Sequence, residues 1–197
     1  MKVGGILVAM AATCIAVVVV HPLPADAGGT YPWHLSLTDQ KGGRFELGDY
    51  QGKTLLLGFM FTRCPVACPM QTAKMAKVQD ALSEDLKRRT RFLSISIDPT
   101  RDTPAMLASY AKGFGADPEH WRFARTQDDG ALKQLLNALA VSVDKRDDGT
   151  LNHKMVVFLI DARGRVVQRY VGDQMDVSRV ANELATVDRL FGVKQDE

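Results

Sequence analysis

Two cysteines in the segment 61–70, FTRCPVACPM, are the residues of this sequence best suited to chemistry. Cys64 and Cys68 lie four positions apart, and each is followed by a proline. The segment comes after an apolar run, 54–60, and before a helical pattern that starts near Gln71. A thiolate is favoured at the start of a helix, where backbone N–H groups are unpaired and the helix dipole is positive. The spacing therefore predicts two sulfur atoms that converge on one point.

The prolines allow two starts for this helix. Proline lacks an N–H and has a fixed φ, so it suits a first helical turn. Either Pro69 opens the helix with Cys68 as its cap, or Pro65 opens it and Pro69 lies in the first turn. In the second arrangement both sulfur atoms share one helix face. A purely structural disulfide is disfavoured, because closing so short a loop removes little chain entropy.

Composition is that of an ordinary soluble protein. The chain has 197 residues, which is enough for one well-buried domain. Its net charge of +2 gives no reason to expect nucleic acid as a partner. There is no obvious heptad seam, so we expect a monomer.

The amino-terminal segment has a separate character. We predict that residues 1–27 are a signal peptide or a membrane anchor and that residues 28–197 form the folded domain. Lys2 precedes an uncharged run of 18 residues, 3–20, and a small-x-small pattern ends at Ala27. This order is typical of a secretory signal with its cleavage site. The run is long for a signal core and near the minimum for a spanning helix, so an uncleaved anchor is the alternative.

Cysteine usage agrees with export. Cleavage after residue 27 removes Cys14 and leaves only Cys64 and Cys68, in a compartment that permits disulfides. We therefore expect an exported protein, either periplasmic or anchored to the inner membrane and facing the periplasm.

Strand and helix patterns predict an α/β fold, a thioredoxin-like sandwich with a central mixed sheet flanked by helices. Active groups in such sheets lie beyond the carboxyl ends of parallel strands. Cys64 follows one buried strand and Asp98 follows the next, so both are expected at that edge. The predicted strands are 31–37, 43–47, 54–61, 92–97, 121–124, 154–160 and 165–170, and the predicted helices are 70–89, 104–114 (capped by Asp102 or Thr103), 128–139 and 176–191.

His153 ends a polar loop directly before the predicted strand 154–160. Taken alone, it is an ordinary loop histidine. A family resemblance gives it a role.

The sequence resembles the Sco/SenC family of copper proteins needed for cytochrome c oxidase assembly. That resemblance implies a thioredoxin-like fold and copper, as Cu(I) or Cu(II), bound by Cys64, Cys68 and His153. It is carried by segments 52–75 (GKTLLLGFMFTRCPVACPMQTAKM), 94–111 (SISIDPTRDTPAMLASYA) and 151–173 (LNHKMVVFLIDARGRVVQRYVGD).

The implied function is that of a metallochaperone rather than an enzyme. It would deliver copper to the copper-bearing subunit of cytochrome c oxidase for its dinuclear centre, with other copper chaperones or thiol reductants as further partners. Cu(I) is soft, accepts three ligands and favours thiolate with imidazole, whereas structural zinc normally takes four protein ligands. Reduction of a partner's cysteines from disulfide to thiols is the second activity that this interpretation allows.

A different function class is kept as the alternative: a thiol–disulfide oxidoreductase or a peroxiredoxin-like peroxidase. The usual redox motif has two residues between its cysteines, whereas three intervene here. A peroxidase also gives no reason for His153 to accompany the cysteine pair.

Two positions depart from the family pattern. Val66 stands where the family often has an acidic residue, and Arg63 stands where histidine or asparagine is frequent. We expect the Arg63 guanidinium to favour a thiolate at Cys64. The nearby methionines are expected to pack in the core, with a role in feeding copper as the alternative; these are Met60, Met70 and Met75.

Overall fold

The computed structural model of the protein describes residues 33–145 and 151–192, without the side chains of Lys145, Asn152 and His153. Its helices and strands follow the predicted order. In chain order they are β1 (Ser36–Asp39), β2 (Arg44–Glu46), β3 (Thr54–Met60), α1 (Ala67–Ala81), α2 (Glu84–Arg89), β4 (Thr90–Ser96), α3 (Pro104–Gly113), β5 (Trp121–Thr126), α4 (Asp129–Ala138), β6 (Val143–Lys145), β7 (Leu151–His153), β8 (Val156–Ile160), β9 (Val166–Val171) and α5 (Val177–Phe191), with a 3-10 turn at Leu47–Tyr50.

The centre is a seven-stranded mixed sheet in the order β2-β1-β5-β4-β3-β8-β9. Strands β3, β4 and β5 are parallel, and the flanking strands pair antiparallel to them. A second sheet contains only β6 and β7. The predicted α/β sandwich with a mixed central sheet is confirmed.

Helices cover the sheet because its central strands are apolar on both faces. All seven residues of β3 are buried, as expected for a strand covered on both sides. Helix α1 joins β3 to its parallel neighbour β4, and α3 joins β4 to β5. Such crossovers are right-handed, which places α1 and α3 on the same face. A hydrogen bond of 3.1 Å between the hydroxyls of Thr72 and Tyr110 links these two helices.

The predicted helix 70–89 is wrong in one respect, because the structure divides it into α1 and α2. Leu82 is extended, with ψ of 142°, and this breaks the helical hydrogen bonding. The Ser83 hydroxyl then accepts the Leu86 N–H at 3.3 Å and caps α2. A serine four residues before the basic end of the segment is the sequence signal for this cap.

Two predicted boundaries also differ. The first strand starts at Ser36 rather than at residue 31, because Trp33 lies in a turn. The Trp33 carbonyl accepts the Gly48 N–H at 2.8 Å. The polar loop before residue 154 contains the short strand β7, in which the backbone of His153 pairs with Val143. Hairpin pairing with β6 therefore places His153 in a strand instead of a loop.

Trp33 packs at the end of the sheet where β3 begins and β8 ends. It covers the turn between β8 and β9, whose Gly164 has φ of 81°. A Cβ at Gly164 would overlap the indole ring of Trp33. The same turn is tied to the start of β3 by the Gly52 N–H, which donates to the Ala162 carbonyl at 2.9 Å.

The predicted signal peptide or anchor, residues 1–27, lies outside the described residues and stays a prediction. Within the part of the chain that is described, no helix is long and apolar enough to cross a membrane.

Candidate functional site

Helix α1 begins between the two cysteines. Val66 is its N-cap but offers no side-chain hydrogen bond, so the first backbone N–H groups need another acceptor. The Cys64 sulfur supplies one, because it accepts the Cys68 N–H at 3.2 Å. Pro69 lies in the first turn, as in the second predicted arrangement, but Pro65 precedes the helix instead of opening it. The two cysteine side chains therefore meet at the helix start, as the spacing predicts.

The two thiols have different surroundings. Neither cysteine is in a disulfide; Cys64 is half-buried and Cys68 is fully buried. Burial, reinforced by the hydrogen bond to the Cys64 side chain, raises the pKa of Cys68 well above its ordinary value. Cys64 is thus the sulfur that an incoming molecule meets first.

Asp102 anchors the residues that lead into Cys64. It is fully buried and accepts hydrogen bonds from the Thr62 N–H at 3.1 Å and the Thr62 hydroxyl at 2.5 Å. The Ser96 hydroxyl donates to the same carboxylate at 2.5 Å. These bonds tie the exit of β3 to the exit of β4. The predicted capping role belongs to Thr103, whose hydroxyl accepts the Met106 N–H.

Asp98 forms a second link between the residues that follow β3 and those that follow β4. The guanidinium of Arg63 lies 2.6 Å from its carboxylate, and that of Arg101 lies 2.7 Å away. Asp98 is nearly buried, while both arginines keep part of their surface in solvent. Arg63 is therefore ion-paired with Asp98. The expectation that Arg63 favours a thiolate at Cys64 stays a prediction.

A cleft of about 430 Å³ opens beside the cysteines. One wall comes from the residues between and after the cysteines, and the other follows His153 in sequence. The side chain of His153 itself lies outside what the structure describes, so its place in the ligand set stays a prediction. The cleft is lined by Val66, Ala67, Met70, Lys154, Met155, Val156, Val171 and Asp173.

The methionines near the cysteines fall into two groups. Met60 and Met75 are fully buried, which confirms their predicted packing in the core. Met70 is 47% exposed and lines the cleft, contrary to that prediction. Met155, on the facing wall, was not among the predicted site residues. The sequence signal for it is its position two residues after His153.

Comparison with known proteins identifies the family. The SCO1/SenC family model matches residues 25–188. The human mitochondrial SCO1 homolog is 33% identical over 166 residues, which cover 81% of this chain and 53% of the human protein. The chain thus spans about half the length of this curated relative.

Solved structures agree with the sequence match. A SCO1/SenC family lipoprotein from Bacillus anthracis has a TM-score of 0.72 at 29% identity, covering 79% of this chain and 95% of that one. ScoI of Bradyrhizobium japonicum, solved with copper bound, has a TM-score of 0.68 at 28% identity and covers 78% of this chain and 96% of that one. From the extent of the family match and this agreement in fold, the chain belongs to the SCO1/SenC family.

Proposed function

We propose that this protein is a copper metallochaperone for assembly of the dinuclear copper centre of cytochrome c oxidase. The observation that carries the proposal is the meeting of two cysteines that are not in a disulfide, with the Cys68 N–H donating to the Cys64 sulfur at 3.2 Å. Family membership supports it, since the related ScoI from Bradyrhizobium japonicum holds copper.

Cys64, Cys68 and His153 are the proposed ligands. Two thiolates with one imidazole suit soft Cu(I), which accepts three-coordinate sites. The position of β7 supports the third ligand, because Lys154, directly after His153, lines the same cleft as Val66 between the cysteines. Binding releases protons, since both thiols must ionise.

Transfer of copper uses the difference between the two thiols. Cys64 is partly exposed beside an open cleft, so a partner's ligands can replace it first, while buried Cys68 holds the ion until the exchange is complete. The proposed recipient is the copper-bearing subunit of cytochrome c oxidase. Other copper chaperones or thiol reductants would load or reduce the site.

Thiol–disulfide exchange is the second candidate function. It is favoured by the same pairing of one accessible and one buried thiol. In that reaction the Cys64 thiolate attacks a partner disulfide and releases one partner thiolate. Cys68 then displaces the other partner sulfur, so that the partner gains two electrons and the cysteine pair becomes a disulfide.

The proposed setting is outside the cytoplasm. Residues 1–27 would export the chain or tether it to the inner membrane, with the domain of residues 28–197 facing the periplasm. We further propose that this domain acts as a monomer.

A competition titration against a coloured Cu(I) chelator tests the site. We expect one Cu(I) per chain, and a loss of affinity by about two orders of magnitude or more in Cys64→Ala, Cys68→Ala and His153→Ala, since each change removes a direct ligand. His34→Ala is the control, because the His34 side chain is almost fully exposed and does not line the cleft.

Unchanged affinity in the three ligand variants would overturn the proposed site. Turnover of disulfide and peroxide substrates by the same preparations separates the two functions. Negligible turnover with tight copper supports the chaperone, whereas rapid turnover that survives His153→Ala supports the redox alternative.

A further inference from the structure

Two methionines line the cleft beside the cysteines, one from the segment after Cys68 and one from the segment after His153. Met70 belongs to the first turn of α1, two residues after Cys68, and is 47% exposed. Met155 follows His153 by two residues and is partly buried. Core packing explains a buried methionine such as Met60 but does not explain an exposed one such as Met70, which lines an open cleft.

The rest of the lining suits a soft, weakly hydrated ion. Its side chains are largely apolar; Val66 and Val171 contribute exposed apolar surface, 61% and 55% of each residue. Asp173 and Lys154 carry opposite charges, so the charged side chains of the lining sum to zero. We therefore expect an ion in this cleft to be selected by its affinity for sulfur rather than by a net charge of the lining. Thioethers are uncharged, soft ligands that favour Cu(I) over Mg²⁺, Ca²⁺ or Zn²⁺.

We propose that Met70 and Met155 form a second, weaker site for a soft monovalent ion, through which Cu(I) passes on its way to or from the cysteines. The transfer is a ligand exchange without electron transfer: Cu(I)–thioether bonds break, Cu(I)–thiolate bonds form, and the thiols release their protons to solvent. The transit role rests on the proposed copper function, but the binding claim does not. Weak binding by uncharged sulfur is what lets the ion leave.

The experiment follows the methionine methyl groups of the full chain by NMR, with [methyl-13C]methionine and Ag(I) as the redox-stable probe. The protein carries Cys64→Ser and Cys68→Ala, which remove the thiolates. We expect Ag(I) to shift the Met70 and Met155 signals together, while Met106 on α3, which does not line the cleft, stays unmoved. Met70→Leu should weaken the response of Met155 about 10- to 100-fold, because the second ligand loses its high effective concentration. Met106→Leu is the matched control and should leave it unchanged.

The proposal is overturned if Met70 and Met155 do not shift, if Met106 shifts at the same Ag(I) concentration, or if Met155 responds equally after Met70→Leu. Should the thiol-free variant unfold, the wild-type protein gives the same test: the first equivalents fill the cysteines, and later equivalents must reach Met70 and Met155 selectively. Failure of the copper site appears separately, in the chelator competition of the cysteine and His153 variants.

Discussion

A single buried carboxylate sets the position of a cysteine that it does not contact. Asp102 is fully buried and receives three hydrogen bonds, two from Thr62 and one from Ser96. Hydrogen bonds to a charged acceptor are worth about 1.5–3 kcal/mol each, so the bonds to Asp102 contribute substantially to the stability of the fold. Thr62 is two residues before Cys64, which makes the carboxylate a positioning residue for the sulfur.

We expect Asp102→Asn to lower the free energy of unfolding by about 2–4 kcal/mol, because the new NH₂ group faces donors and leaves them unpaired. Urea denaturation measures this loss. Cu(I) affinity should fall in the same variant while the copper stoichiometry of the folded fraction stays at one. Asp129→Asn makes the same chemical change at an exposed position and should shift stability by less than about 0.5 kcal/mol. Equal effects of the two changes would contradict the anchoring role.

The two thiols should also react at different rates. We expect iodoacetamide to modify Cys64 well before Cys68 in the reduced, copper-free protein, because burial shields the Cys68 thiol and raises its pKa. Peptide mass mapping over time gives the two rates. Urea removes the burial, so the rates should converge when the protein is unfolded. Faster labelling of Cys68 in the native protein would contradict the observed burial.

At the scale of elements, α1 packs closely on the end of β9 through Gln71. The buried Gln71 side chain donates from its amide nitrogen to the Phe59 carbonyl at 3.0 Å. Its amide oxygen lies against Gly172. A Cβ at Gly172 would collide with this side chain, which cannot move without breaking its bond to Phe59. The absence of a side chain at Gly172 is therefore what lets the helix approach the sheet edge beside the cleft.

Gly172→Ala should cost about 1–3 kcal/mol of stability, the usual range for overpacking a well-filled site. Gly113→Ala is the matched control, since nothing lies within 4 Å of its Cβ position and it ends α3. That change should stabilise by up to about 1 kcal/mol, because alanine has the higher helix propensity. Thermal unfolding of the two variants compares them directly, and a neutral Gly172→Ala would mean that Gln71 has room to move.

The sequence predicts those elements whose signals are local. The apolar run of β3 marks its strand well. Asp128 and Asp176 are the first residues of two predicted helices, and in the structure they accept the Ala131 and Arg179 N–H groups as caps. Strand β7 has no such signal, because its three residues are held by pairing with β6 rather than by their own preference.

The cysteine pair is likewise predictable, since both residues lie in one segment. The cleft is not, because Met70 and Met155 come from segments that only the antiparallel pairing of β8 with β3 brings to one edge. Asp102 was predicted only as a possible helix cap, and its role as an anchor was missed for a related reason. Its partners Thr62 and Ser96 end two different strands, and no spacing in the sequence announces their meeting.

For the whole molecule, buried tyrosines predict a loss of stability at alkaline pH. Burial raises the pKa of Tyr50 to about 12. It also raises the pKa values of Tyr110 and Tyr170, with help from the Glu183 hydrogen bond at Tyr170. The unfolded chain, in which tyrosine titrates near 10.0, therefore releases protons before the folded one does. Stability is complete below that value and falls as the pH rises above it.

Each tyrosine contributes a slope of up to about 1.4 kcal/mol per pH unit between its unfolded and folded pKa values. Urea midpoints of the reduced, copper-free protein, measured from neutral pH to beyond the ordinary tyrosine pKa, should show this decline. Tyr50→Phe should reduce the slope of this decline by the contribution of one tyrosine. A stability that does not change across the range would show that the tyrosines ionise alike in both states.

The packing of Trp33 on the turn at Gly164 fixes the start of the described chain at one end of the sheet. This contact lies where β3 begins, while Cys64 follows the end of β3, a separation of about 20 Å along seven residues. The other described end of the chain returns to the same side, because Asp188 near the end of α5 pairs with Arg89, directly before β4. A surface linker attached close to Trp33 or Asp188 would thus hold the molecule by the end of the sheet opposite the cysteines, and would leave their edge accessible from solution.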